Sequence, residues 1–322
     1  MWRALLTLLA VAGCERVFSV DPFSAPAGDW GDVTLGVRHA CGLRLDGSLW
    51  CWGANDVGQT GVPGAGAAVP VQVGEGSWTS VSAGGGHTCA IGTDGSLWCW
   101  GWNAHGQLGV GDMADREAPV LVDAGPWVHV ASGFGSTCAI REDTSLWCWG
   151  LNDYGQLGLG SKTTTLIPAV VEGGGWRTVR TNRFHTCGIR GDDELACWGD
   201  NLYGLLPDPD LPSTSVPVAF AGAWTDAATG YLHTCARNAN GHLRCWGTNA
   251  GGQLGNGTTT PSRLGVDVGG NEDGWESLAS GDNHVCGRRE DGTVRCWGDN
   301  TGGAVRCRAR SSDASLPRRR RS

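Results

Sequence analysis

The stretch WTSVSAGGGHTCAIGTDGSLWCWG, residues 78–101, decides the fold, because its frame returns along the chain. A Trp is followed eleven residues later by a Cys, and ten residues beyond that by the Cys of a closing Cys-Trp-Gly or its equivalent. The anchors are Trp30, Cys41 and Cys51; Trp78, Cys89 and Cys99; Trp127, Cys138 and Cys148; Trp176, Cys187 and Cys197; Trp224, Cys235 and Cys245; and Trp275, Cys286 and Cys296. Successive copies begin 48, 49, 49, 48 and 51 residues apart, which is one supersecondary unit repeated six times. A period of that size belongs to propellers and solenoids, whose units stack on their neighbours to make one continuous core.

Within the second copy, residues 78–81 and 87–91 read as short strands around the glycine turn Gly84-Gly85-Gly86, and Asp94-Gly95 turns the chain into a third strand. A three-residue loop of Thr93, Asp94 and Gly95, with the glycine left-handed, sets Cys89 opposite Cys99. The same count pairs Cys41 with Cys51 around residues 45–47 and Cys235 with Cys245 around residues 239–241. Counted outward from the loop, the cysteines occupy a pair without direct ladder hydrogen bonds, where strands approach most closely and a disulfide can form. After the third strand comes an invariant Asn (Asn55, Asn103, Asn152, Asn201, Asn249, Asn300), expected to stabilise a turn by bonding the backbone two residues on. Most copies then reach a Pro and a Val-rich segment that reads as an outer strand.

Fifty-four glycines and only 17% charged residues suit a turn-rich all-β chain. The 17 Trp are expected to be mostly core. A net charge of -8 gives no footing for nucleic-acid binding, which rests on a basic surface. The N-terminus has a basic residue and a short apolar run, too brief to span a bilayer. It ends in Val11-Ala12-Gly13-Cys14, which resembles a bacterial lipobox and implies cleavage before Cys14 and acylation of its thiol. The expected organisation is a signal peptide over residues 1–13, a lipidated tether over 14–29, the repeats over 30–303 and an arginine-rich disordered tail over 304–322. An ordinary secretory signal cut nearby, or a buried first strand, is the alternative at the N-terminus.

The run Gly86-His87-Thr88-Cys89-Ala90-Ile91, then Asp94-Gly95, then Trp100-Gly101, Asn103 and Gly106-Gln107-Leu108-Gly109 resembles the repeat of the regulator of chromosome condensation family. The resemblance implies an all-β propeller of four-stranded blades, seven in well-known members. Six copies are countable here, so the expectation is six blades, or seven with one incomplete. The sixth copy stops at residues 298–303 without Gln-Leu-Gly or an outer strand, and Cys307 in the tail stands outside the pairing scheme.

Two chemistries compete for the paired cysteines. Six structural disulfides agree with export, since thiols persist only in reducing compartments. The rival is zinc, because His39, His87, His185, His233 and His284 each precede the first Cys by two residues and share its strand face. Ser136 breaks that series, and no second His or Cys completes a tetrahedral set, so no metal is expected. Reduced core cysteines are a third possibility. No cofactor is expected either, because the glycine turns lack a following helix start or Lys. Ser, His and Asp sit mostly at repeated positions, which argues for structural roles and against an enzyme.

Function is expected where copies differ. Before the invariant Asn stand Ala54, Trp102, Leu151, Asp200, Thr248 and Asp299; before the next Gly stand Val57, His105, Tyr154, Tyr203, Gly251 and Gly302. Equivalent turns should project on one face, so Trp102, His105, Leu151, Tyr154 and Tyr203 form the candidate binding face; packing of these rings against neighbouring blades is the alternative. The reading that follows is a monomeric, non-catalytic envelope lipoprotein, membrane-bound through its lipid alone, that binds a protein or glycan. The family resemblance adds inhibition of a secreted enzyme through one propeller face. It also adds guanine-nucleotide exchange, which conflicts with export.

Overall fold

In a computed structural model that describes residues 30–270 and 272–300, the chain forms a β-propeller of six antiparallel sheets in sequence order. The second blade shows the plan: Trp78–Ala83, His87–Gly92, Leu97–Gly101 and Arg116–Asp123 follow one another from the axis outward. Five sheets have four strands. Among the described residues the sixth has three, Trp275–Ser280, His284–Arg289 and Val294–Gly298. The signal peptide, Cys14, the tether and the tail lie outside the described residues.

The hairpin register is the one the sequence arithmetic requires. Cys89 faces Cys99, Gly92 N donates to Ser96 O at 2.9 Å, and the loop between is residues 93–95 with Gly95 at φ +81°. All six expected pairs are disulfides: Cys41 is bonded to Cys51, Cys89 to Cys99, Cys138 to Cys148, Cys187 to Cys197, Cys235 to Cys245 and Cys286 to Cys296. Their Cα atoms are 4.1 Å apart, the close approach of a pair without direct ladder bonds. The third and fourth blades keep this register although their loops lack the glycine, since Cys138 still faces Cys148 and Cys187 still faces Cys197. Such a set of disulfides marks an exported chain. Among the described residues no helix is long and apolar enough to cross a membrane.

Blades are joined by a repeated set of polar contacts. Thr137 Oγ1 donates to Gln107 O of the preceding blade at 2.7 Å and meets His87 Nε2 at 2.9 Å; Trp149 Nε1 donates to the same Gln107 oxygen at 2.9 Å. The arrangement recurs with His39, Thr88, Trp100 and Gln59 O, and with His185, Thr234, Trp246 and Leu205 O. His39, His87 and His185, which might have joined cysteines around a metal, are thus turned toward threonines, and the cysteines are bonded to each other. In the last blade Val285 replaces the threonine, and His233 bonds Ser280 instead at 3.0 Å.

The hydrophobic core lies between blades. Cys41, Cys51, Leu43 and Leu49 of the first blade pack on Val81, Ala90 and Trp100 of the second. The Trp of Cys-Trp-Gly is essentially fully buried at Trp100, Trp149, Trp198 and Trp246, but Trp52 and Trp297, in the first and last blades, are half-buried. The expectation that the Trp are mostly core holds, with the Cys-Trp-Gly tryptophans less covered at the two ends of the repeat array. Burying a large aromatic side chain contributes roughly 1.5–3 kcal/mol, so the inner interfaces hold most of this stabilisation.

Candidate functional site

The turn between the first and second strands of each blade and the loop after the third strand open on the same end of the propeller. The invariant Asn and the Gln four residues later hold that loop. Asn103 Oδ1 accepts from Leu108 N at 3.0 Å, while its Nδ2 donates to Asp112 O and Ala114 O at 2.9 and 3.1 Å. The expected bond to the backbone two residues on is replaced by one five residues on, because the buried Asn side chain ties the whole loop together. Gln107 Oε1 accepts the amide of His105, and Gln156 Oε1 that of Tyr154, each at 2.9 Å. Repeated residues thereby fix the backbone under the variable ones.

On this frame the rings meet. Trp102 packs edge-on against His105 and Phe134, with centroids 5.0 and 5.9 Å apart. Tyr154 meets Phe184 at 4.8 Å, and Phe184 meets Tyr231 at 5.1 Å. Between these groups stands Arg183, its guanidinium 4.4 Å from the Phe134 centroid, 5.6 Å from Phe184 and 5.8 Å from Tyr231. Each of these side chains is half-buried, with part of its surface open to solvent.

Of the five residues chosen from sequence, Trp102, His105 and Tyr154 are in this belt. Leu151 is 8% exposed, lodged against Gly135, where the missing side chain leaves it room beneath the rings. Tyr203 is 47% exposed but stands apart, lining a cleft of about 270 Å³ with Thr248, Pro261 and Arg263. Phe134, Arg183, Phe184 and Tyr231 were missed. They belong to the first turn, where the residue two before the His position runs Val37, Gly85, Phe134, Arg183, Tyr231 and Asp282, and the residue one before it runs Arg38, Gly86, Gly135, Phe184, Leu232 and Asn283. Comparing copies there would have found them. These turns adjoin around the mouth: Gly85 N donates to Gly133 O at 2.9 Å and Tyr231 N to Asp282 O at 2.8 Å.

The axis below the mouth is polar. Burial pushes the Asp32 carboxyl up to about 6, against the pull of the Val33 amide and the Arg180 charge. Burial likewise raises Asp226, with Arg180 again opposing. Arg180 donates to Val179 O at 3.2 Å and lies 3.1 Å from His129 Nε2. Side chains here also serve the innermost strands' free backbone: Thr34 Oγ1 accepts from Ala83 N at 3.1 Å and Asp226 Oδ2 from Leu278 N at 3.3 Å. These groups therefore join neighbouring blades. Among the described residues no cluster of His, Cys, Asp and Glu is arranged to hold a metal ion.

Sequence profiles of the Regulator of chromosome condensation (RCC1) repeat match residues 46–91, 94–140 and 143–189, and, with a second profile of the same repeat, 32–59, 78–107, 127–156, 177–205, 224–253 and 275–304. No curated protein matches the chain in sequence. Among solved structures, human WBSCR16 is 21% identical, with 81% of this chain and 72% of that one covered at a TM-score of 0.74. Yeast RCC1 (Prp20), solved bound to Kap60, is 18% identical over 88% of this chain and 76% of that one, with a TM-score of 0.75. The ectodomain of the Physcomitrella patens receptor kinase CR4 is 22% identical over 85% and 63%, with a TM-score of 0.56. At these identities the likeness is one of fold.

Proposed function

The chain belongs to the regulator of chromosome condensation repeat family, and from that premise we propose an exported, non-catalytic binding module that engages a protein or glycan partner through the aromatic mouth. One observation carries the reading. The residues that vary between copies, Trp102, His105, Phe134, Tyr154, Arg183, Phe184 and Tyr231, converge on one end of the propeller, while the repeated residues are spent on joining blades. Aromatic and Arg side chains on a rigid backbone are the types that dominate binding energy at protein interfaces. They lose little conformational freedom when a partner docks.

Acylation at Cys14 would tether this module to the cell envelope, leaving the mouth free to meet a partner there or outside the cell. Inhibition of a secreted enzyme is one form such binding could take. Nucleotide exchange on an intracellular GTPase is disfavoured by six disulfides.

The test is capture of a partner from envelope extract by immobilised protein, comparing wild type with Trp102→Ala/Tyr154→Ala. The double variant should retain the wild-type circular dichroism spectrum and lose the captured partner. Undiminished capture would assign these rings to packing alone.

A further inference from the structure

We propose that Arg183 is the anchor of the mouth and takes a single carboxylate, flanked by apolar residues, from a peptide segment of the partner; this rests on the mouth being the binding surface. The guanidinium stands over the rings of Phe134, Phe184 and Tyr231, contributed by three successive blades. Its position is fixed from below: Arg183 N donates to Asn182 Oδ1 at 2.7 Å, and Arg183 O accepts from Gln156 Nε2 at 3.1 Å. Nε is buried without a partner, and among the described residues the guanidinium makes no hydrogen bond or ion pair. The contrast within the chain is plain, since Arg141 and Arg190 also lie over Trp rings but are salt-bridged to Asp123 and Glu194.

A planar guanidinium held on edge-packed rings, with its donors unspent, is preorganised for a planar anion that it can grip with two parallel hydrogen bonds. A carboxylate suits the site better than a phosphate or a polyanion. Arg183 is one cation, Asp282 is its electrostatic neighbour at the same mouth, and the whole chain carries a net charge of -8. A single negative charge with apolar flanks meets both the guanidinium and the surrounding rings, whereas higher charge meets repulsion. The carboxylate can come from an Asp or Glu side chain or from a free C-terminus.

The test is selection from a displayed library of random peptides on the immobilised protein, followed by affinity measurement on synthetic peptides. Wild type should enrich peptides with a carboxylate beside apolar residues. Arg183→Gln should weaken them about tenfold or more, the scale of a charge-assisted bidentate contact, and Arg183→Lys should restore part of the affinity. Asp282→Asn should strengthen binding by removing the competing acid. Asn or Gln replacement in the peptide, against C-terminal amidation, tells which carboxylate is used. Enrichment of peptides without a carboxylate, equal affinity for Arg183→Gln, or no enrichment at all overturns the proposal. Where Phe184→Ala weakens binding and Arg183→Gln does not, the carboxylate fails and the mouth stands. Where neither matters to peptides that do bind, the mouth reading itself fails.

Discussion

His87 Nε2 donates its proton to Thr137 Oγ1, one blade further on, across 2.9 Å. The direction follows from the hydroxyl, whose single proton goes to the Gln107 carbonyl. That leaves His87 Nδ1 bare, and it is buried without a partner, as are the Nδ1 atoms of His39, His185 and His233. Thr137→Val keeps the shape and removes the hydroxyl, so the imidazole N–H is stranded in the interior. The expected cost is about 1–3 kcal/mol in urea unfolding. A His87→Leu/Thr137→Val double variant should recover part of it, because both polar groups are then gone. An unchanged unfolding midpoint for Thr137→Val would show that the contact contributes nothing.

Acid should unfold the propeller through these histidines. Burial lowers His87, His185 and His233 to about 3 and His39 and His129 to about 4, with lesser contributions from neighbouring charges at His87, His129 and His233. Below the ordinary value near 6.5 the unfolded chain binds protons that the folded chain refuses, so stability falls as pH drops from 6.5 toward 3–4. Asp32, raised to about 6, acts oppositely, as do Asp226 and Asp282, which burial also raises: they favour the fold at low pH and lose that contribution as pH rises. Five histidines outweigh these three carboxyls, at up to about 1.4 kcal/mol each per pH unit. Urea midpoints should therefore fall between pH 7 and pH 5, and a midpoint that is flat or rises would contradict this.

The disulfide of the last blade should open first. Ten of the twelve paired cysteines are 0% exposed, whereas Cys286 and Cys296 are half-buried. Under limited reductant and alkylation of the folded protein, peptide mapping should find label at Cys286 and Cys296 before any other pair. Breaking an inner pair by Cys89→Ala/Cys99→Ala should cost about 2–3 kcal/mol from the loop-closure term. First labelling at Cys41 or Cys138 would reverse the expected order.

Two hairpin loops carry a strained residue. Thr144 has φ +67° and Asp193 φ +65°, at the position that Gly47, Gly95, Gly241 and Gly292 occupy in the other copies. A β-branched side chain is penalised there by roughly 1–2 kcal/mol. Thr144→Gly should stabilise the protein by about 0.5–1 kcal/mol net, since the glycine is also freer in the unfolded chain. Differential scanning calorimetry checks this, and a lowered Tm would contradict it.

The hairpin and its cysteine register were legible because a fixed turn length leaves one pairing that sets cysteine against cysteine, and the propeller class was legible from the repeat period together with the family resemblance. The partnership of each His with a Thr of the next blade was not, since the two lie 50 residues apart at His87 and Thr137 and their meeting depends on how blades stack. The site was half legible. Trp102, His105 and Tyr154 came from asking where copies differ after the third strand. The same question at the first turn, where Gly85-Gly86 becomes Phe134-Gly135, Arg183-Phe184 and Tyr231-Leu232, would have supplied the rest. The burial of Leu151 was invisible because it depends on a glycine, Gly135, in a different turn.

On the proposed function, one end of this propeller binds and the other does not. Site-specific photocrosslinking addresses it most directly, with the crosslinking residue placed at Phe184 in the mouth or at Asp46 in a hairpin loop of the opposite end, and envelope extract as the source of partners. A partner crosslinked from position 184 and absent from position 46 is the predicted result. Crosslinks arising from position 46, with none from 184, would contradict it.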